Sequence, residues 1–222
     1  MALLEDIAVP MEKLGGVCTD LQELFDKHHY DGAVIFGHAK YGNIHFLVTE
    51  DFAGEESLNR YDQFTEDMVD LVLREQGTLK AEHGTGRIMS PFVQRQYGDD
   101  LYQAMVDVKN ACDPNRILNP GTIITDDPQL HLKYIKPTET VRDIIDDCVE
   151  CGYCEPVCPS QHLTTTPRQR IVIQRAIAAC EASGAYDLAE RLKAQEVYDV
   201  VQTCAVDGMC QTACPVKINT GD

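Results

Sequence analysis

Seven of the ten cysteines fall between Cys148 and Cys214 in two runs, Cys148-x2-Cys151-x2-Cys154-x3-Cys158-Pro159 and Cys204-x5-Cys210-x3-Cys214-Pro215. Thiols at such spacings constrain a fold because the loops that carry them must converge on whatever they bind. In a secreted chain ten cysteines would suggest disulfides, but crowding at motif spacing suits metal ligation in a reducing compartment. The start, Met1-Ala2-Leu3-Leu4-Glu5-Asp6, lacks the basic stretch of a signal peptide, and no run approaches the roughly 18 apolar residues of a membrane-spanning helix. A cytoplasmic protein is expected, with at most peripheral contact with the inner membrane. The net charge of −17 leaves no basic footprint for a phosphate backbone, which excludes nucleic acid as a partner.

The 222 residues suffice for two compact units. Leu14, Val17, Cys18, Leu21, Leu24 and Phe25 recur at helical spacing, so an amphipathic helix is expected between Val9 and His29 as the opening element. Gly32 to Phe36 and Ile44 to Thr49 are β-rich runs joined by a loop from Gly37 to Asn43. A helix is expected over Leu58 to Glu75, a third strand over Thr78 to Ala81, and helices over Pro91 to Tyr97 and Asp99 to Ala111. Turn residues follow at Asp113 to Arg116 and Asn119 to Gly121, and the polar stretch from Thr125 to Thr140 reads as a linker. This divides the chain into residues 1–138 and 139–222. In the second part Arg168 to Ser183 and Tyr186 to Val201 read as helices capped at Gly184, leaving that unit all-α apart from its cysteine loops.

The first cysteine run has the spacing that bacterial ferredoxins use, in which three close thiolates hold one cluster and the fourth reaches another. A structural zinc site is the alternative, although zinc ribbons use paired Cys-x2-Cys knuckles without a third cysteine at x2 or a Cys-Pro end. From Cys148 to Pro215, two such runs flanking a helical hairpin resemble the α-helical ferredoxin domain of succinate dehydrogenase and fumarate reductase iron–sulfur subunits. The resemblance implies a 4Fe-4S cluster on Cys148, Cys151, Cys154 and Cys214. It implies a second cluster on Cys158, Cys204 and Cys210. The Cys-x5-Cys-x3-Cys-Pro spacing is similar to a 3Fe-4S site, while Asp207, standing where a cysteine is missing, could ligate the fourth iron of a 4Fe-4S cluster or be a solvated loop residue. Cys18, Cys112 and Cys180 lie outside both runs and are read as buried structural thiols.

Gly37-His38-Ala39-Lys40-Tyr41-Gly42-Asn43-Ile44-His45 sets two imidazoles at the ends of a short loop, and Glu82-His83-Gly84-Thr85-Gly86-Arg87 follows. Two imidazoles and a carboxylate with an open position form the ligand set of a catalytic divalent metal. Single histidines are more often hydrogen-bonded surface or core residues. Taken with Asp113 to Gly121, these runs resemble the C-terminal part of FAD-linked oxidases of the vanillyl-alcohol oxidase type, in particular the D-lactate, glycolate and D-2-hydroxyglutarate dehydrogenases. The resemblance covers about the first 125 residues. It implies that His38, His45 and Glu82 hold a divalent metal such as zinc or manganese, that His83 is the base, and that Asn43 and Asn119 sit by the isoalloxazine ring of FAD. Lys40-Tyr41 stands where family members often have Gly-Asp, which touches substrate preference and spares the ligands. Arg87 is read as a surface ion pair, with a place beside the substrate carboxylate as the alternative.

Together these readings imply an α+β fold: a partial FAD-linked oxidase C-terminal domain with an antiparallel sheet and helices, followed by an all-α, two-cluster ferredoxin domain. No glycine-rich nucleotide fingerprint occurs in residues 1–30, so the chain is expected to be the C-terminal part of a longer flavoenzyme, inactive alone, with FAD held mainly by a preceding domain. Its apolar docking face is expected to favour a homodimer. The implied function is oxidation of a small 2-hydroxy acid, D-lactate first, with electrons leaving through the clusters to a quinone, cytochrome or partner protein. The alternative is a non-catalytic iron–sulfur subunit that docks on a separate flavoprotein.

Overall fold

The computed structural model describes residues 2–50, 52, 54–135 and 139–222, excepting the side chains of Ala2 and Leu4. It divides into two compact units, Met1–Pro137 and Thr138–Asp222. The first is α+β and the second helical with cysteine-bearing loops.

In the first unit β1 (Ala2–Ala8), β2 (Val34–His38) and β3 (Asn43–Thr49) form an antiparallel sheet in the order β1-β3-β2. The opening strand was not expected from sequence. Leu3, Glu5, Asp6 and Ile7 are all buried, so both faces of β1 are covered and the alternation that marks a half-exposed strand is missing. Ile7 pairs with Ile44, Glu5 with Phe46 and Leu3 with Val48, and these positions share the face that packs on the helices. Asp6 pairs with His45 and Phe36 with His45, on the opposite face.

Helix α1 (Leu14–Lys27) follows a 3-10 turn and buries Val17, Leu21 and Phe25 at helical spacing. Helix α2 (Glu55–Arg74) starts with Glu55 and Glu56, which complement the positive end of the helix dipole, and buries Phe64, Met68 and Val72. Phe25, Phe46 and Phe64 meet at the centre, with ring centroids 5.7 to 6.0 Å apart. Helices α3 (Val93–Tyr97) and α4 (Asp99–Cys112) follow as anticipated.

The expected strand at Thr78 to Ala81 does not form. Only one bridge, Ala8 to Thr78, joins this stretch to β1. Beyond it the backbone turns to side chains: Leu79 N–H donates to Gln96, and Ala81, Glu82 and His83 N–H groups point to Asp6. The anticipated linker is also partly packed, because Leu130 and His131 are buried and His131 Nε2 lies 2.8 Å from Asp62. Cys112 is exposed rather than buried. Arg87 lies over the Tyr134 ring, 5.5 Å from its centroid, instead of forming a simple ion pair.

The second unit contains α5 (Asp143–Asp146), α6 (Pro167–Ala182), α7 (Tyr186–Glu196) and α8 (Met209–Ala213). Thr166 and Gln169 make a reciprocal capping box at the start of α6, with Pro167 in its first turn. Gly184, with φ of 77°, turns the chain into α7. The expected helix to Val201 changes at Val197–Gln202 into a π-helical turn, where the Asp199 carbonyl accepts from the hydroxyls of Thr165 and Thr203.

Candidate functional site

The sheet face opposite the helices carries the histidine site. Register puts His45 of β3 beside Asp6 of β1, and His38 ends β2. The segment from Gly37 to Asn43 needs glycine twice. A Cβ at Gly37 would lie 2.4 Å from the Asn43 carbonyl oxygen, and one at Gly42, where φ is +65°, would lie 1.9 Å from that of Val9. The close approach at Gly42 carries a hydrogen bond, Val9 N–H to Gly42 O at 2.9 Å.

Glu82 is delivered to this face by Asp6. The fully buried Asp6 carboxylate accepts through Oδ2 from the N–H groups of Ala81, Glu82 and His83 at 3.1, 2.7 and 3.4 Å. Burial works against the charge on Asp6, but the Glu82 and Ala81 N–H groups, Lys80 and His83 outweigh it and hold its pKa below the usual carboxylate value. Burial pushes the neighbouring Glu5 the other way, against the attraction of Lys80, whose ammonium it pairs with.

Glu82 Oε1 then lies 2.8 Å from His45 Nε2, 3.3 Å from His38 Nε2 and 4.0 Å from His83 Nε2. The His45 and His83 rings stack with centroids 4.8 Å apart. His45 is buried whereas His38 and Glu82 are exposed, so the cluster opens to solvent on one side. One ligand atom from each of His38, His45 and Glu82 lies within 4.8 Å of the others. Ligands about 2.1 Å from a tetrahedral ion stand about 3.4 Å apart, so the donor set fits a divalent metal with only small side-chain adjustment. Among the described residues, the buried atoms Asp6 Oδ1, Asn43 Oδ1 and His45 Nδ1 near this centre find no hydrogen-bond partner. Asn43 Nδ2 donates to the Ile7 carbonyl at 3.1 Å. Asn119 sits in an exposed turn with φ of 45°, and among the described residues no hydrogen bond links it to the histidines.

In the second unit the cysteines of the two runs sort into two cavities. Cys148, Cys151, Cys154 and Cys214 line one, with apolar walls from Val149, Ile171, Pro215 and Ile218. Cys158, Cys204, Cys210 and Asp207 line the other. The last cysteine of each run thus faces the early cysteines of the other. Among the described residues no cysteine group is drawn to within 4.8 Å, whereas four thiolates on one zinc ion would stand about 3.8 Å apart. Asp207 is exposed, and its Oδ1 accepts from Met209 N–H at 3.1 Å. Burial raises the Cys154 thiol above its ordinary pKa.

Side chains tie these loops down. The buried Arg175 guanidinium donates to Glu150 Oε1 at 3.1 Å and to the Asp146 and Cys148 carbonyls at 3.3 and 3.0 Å. The Ser160 hydroxyl donates to the Thr203 carbonyl, and Thr164 Oγ1 meets Thr203 Oγ1 at 2.7 Å, joining the end of one run to the start of the other.

The family described as FAD linked oxidases, C-terminal domain, matches residues 1–123, more than half of the chain. The chain belongs to this family. A 4Fe-4S dicluster domain matches residues 144–218 of the same FAD-linked oxidase chain. Among curated relatives it is similar to glycolate oxidase subunit GlcD of Bacillus subtilis, 30% identical over 56% of this chain and 26% of that protein. D-2-hydroxyglutarate dehydrogenase of Pantoea ananatis is 25% identical over 97% of this chain and 26% of that protein. Mitochondrial D-lactate dehydrogenase [cytochrome] of Arabidopsis thaliana is 30% identical over 55% of this chain and 22% of that protein. The chain therefore spans about a quarter of the length of the relatives it matches.

Within this family member, sequence reasoning missed Asp6 and Lys80, whereas Asp113 was read as a turn residue. A Glu-Asp pair inside the apolar run Leu3 to Val9 was the available signal for the first, since charges there must be buried with partners or expelled. Asp113 accepts from Ile117 and Leu118 N–H at 3.1 and 2.9 Å and pairs with Lys109 at 2.6 Å, so it shapes the turn that presents Asn119.

Proposed function

We propose that the chain forms part of a flavin- and iron–sulfur-dependent D-2-hydroxy acid dehydrogenase, with D-lactate as the leading substrate. The observation that carries this is the convergence of His38, His45 and Glu82 on one sheet face with His83 beside them. Relatives named glycolate oxidase, D-2-hydroxyglutarate dehydrogenase and D-lactate dehydrogenase support the substrate class.

A zinc or manganese ion held by His38, His45 and Glu82 would supply Lewis-acid charge beside the substrate hydroxyl and carboxylate. FAD, bound mainly by residues outside this chain, would accept hydride from the α-carbon. His83 Nε2 accepts the hydroxyl proton, a role that fits a partly exposed imidazole at the open edge of the ligand set. Buried Asp6 and Asn43 keep the inner side of the site closed to water. Asn43 and Asn119 face the flavin in this reading.

Electrons leave through clusters on Cys148, Cys151, Cys154 and Cys214 and on Cys158, Cys204 and Cys210, whose two cavities support the crossed ligation. With Asp207 in the second wall, the second cluster is 3Fe-4S on the three cysteines or 4Fe-4S with Asp207 as its fourth ligand. A quinone, cytochrome or partner protein takes them on. No helix among the described residues is long and apolar enough to cross a membrane, so contact with a membrane acceptor is peripheral in this proposal. Val34 and Phe36, half-exposed on edge strand β2, support a docking face for the flavin-bearing region or a second copy.

The test is metal analysis of the anaerobically prepared chain and its His38→Ala and His45→Ala variants, beside iron and sulfide content. Loss of zinc or manganese in both variants, with clusters retained, supports the site. Unchanged non-iron metal removes the metal assignment and leaves an electron-transfer subunit.

A further inference from the structure

Asp6 has one oxygen in use and one to spare. Oδ2 accepts from three backbone N–H groups, whereas Oδ1 is buried and has no hydrogen-bond partner among the described residues. A buried carboxylate oxygen left idle is costly, so its surroundings identify what it serves. His83 Nδ1 and Lys80 Nζ each lie 3.7 Å from it. Lys80 already pairs with Glu5, and its charge needs no acceptor of defined direction. The imidazole does, because a neutral ring carries its proton on only one nitrogen.

We propose that Asp6 is a positioning residue for His83: Oδ1 accepts the His83 Nδ1–H, which fixes the tautomer that leaves Nε2 unprotonated and facing the Glu82 side of the site. The inference rests on the role of His83 proposed above. Closure by about 1 Å turns the 3.7 Å approach into a hydrogen bond, a shift of the kind catalytic contacts make on ligand binding. The same carboxylate holds the His83 backbone through Oδ2, so ring and main chain are fixed by one group and the rotation of the imidazole about its Cβ is restricted. The stacked His45 ring, nearly parallel at 20°, closes the other side. His45 is itself the cross-strand partner of Asp6, so the carboxylate is set beside the stacked pair by register and not by chance of rotamer.

The chemistry gives a sharp test. In Asp6→Asn the three backbone N–H groups still need an acceptor, so the amide oxygen takes the place of Oδ2 and the amide NH2 takes that of Oδ1. A donor then faces His83 Nδ1, and the ring must move its proton to Nε2. Two-bond proton–nitrogen correlation spectra of histidine-labelled chain, recorded in alkaline buffer and assigned with His83→Gln, read both nitrogens. The expected result is Nδ1–H in the parent and Nε2–H in Asp6→Asn, with zinc binding to His38, His45 and Glu82 retained in both. An Nε2–H tautomer in the parent overturns the proposal without any variant. So does an unchanged tautomer in Asp6→Asn, or a zinc-induced shift showing His83 Nδ1 as a metal ligand. If His38→Ala and His45→Ala leave zinc binding unaltered, the metal assignment fails, and the tautomer still reports on Asp6 alone.

Discussion

Replacing Arg175 by Met removes the guanidinium that fastens the first cysteine run to α6. Arg175 is buried and donates to the Glu150 carboxylate and to the carbonyls of Asp146 and Cys148. Charge-assisted hydrogen bonds are each worth about 1.5–3 kcal/mol, so three would suggest about 4–9. Two effects reduce this. The Glu150 side chain is 27% exposed and regains water, and burying the guanidinium, whose Nε has no partner, already costs desolvation. Met restores most of the volume. A net loss of about 3 kcal/mol follows, which for a unit of this size lowers the melting temperature by about 12–24 °C. The assay is thermal bleaching of cluster absorbance in the anaerobic chain, with iron and sulfide measured before heating. Arg175→Met should melt early and arrive with its first cluster depleted. A shift below about 3 °C with full iron content would refute the reasoning, because the loop would then be held by the cluster alone.

Gly42→Ala places a Cβ 1.9 Å from the Val9 carbonyl oxygen at a φ of +65°, so it should cost about 3 kcal/mol in urea unfolding and weaken zinc binding by misplacing His38. Cys214→Ser should abolish the signal of the first cluster and Cys158→Ser that of the second in electron paramagnetic resonance; the reverse pattern would show that the runs do not cross. The Lys109 ammonium, helped by the Leu118 and Ile117 N–H groups, holds Asp113 below the ordinary value of 3.8. Such a depressed carboxylate contributes stability that is present above its unfolded value and lost as pH falls through its folded one. Lys109→Met should therefore raise the Asp113 pKa in a carbon-detected titration and move the acid-unfolding limb to higher pH.

Much of the site was legible because its chemistry is written in short spacings. The two cysteine runs and the His38–His45 loop each place candidate ligands within one turn or hairpin, so sequence alone put them near one another. What stayed hidden depends on pairing between distant segments. Asp6 gains meaning only when β1 lies beside β3 and the Ala81–His83 backbone crosses it, and neither neighbour is local to it. β1 itself was missed because its acidic residues are buried with Lys80 and backbone donors, which defeats the rule that charge marks a solvent face. The strand expected at Thr78 to Ala81 failed for the complementary reason: its N–H groups found side-chain acceptors before they could find a ladder. The helices at α1 and α2 were readable because each buries a single stripe against one core.

The two halves of the chain meet their ligands on different terms. In the first unit the sheet packs on α1 and α2 around Phe25, Phe46 and Phe64, and the candidate ligand His45 lies on the reverse face of that same sheet. The second unit has a core cluster of only Ile145, Ile171 and Ile218, and the groups packed against it include Cys148 and Cys214. Its cysteine loops also hold Glu150, Val206 and Lys217 at φ of 59°, 51° and 62°, a region that L-residues avoid and a β-branched valine most of all. Even with Ile177, Ala189 and Val200 also buried, this small apolar core is set against that strain and the entropy of ordering the loops. The missing stabilisation must come from cluster ligation, which makes the iron–sulfur groups part of the folding energy of this unit as well as its electron carriers.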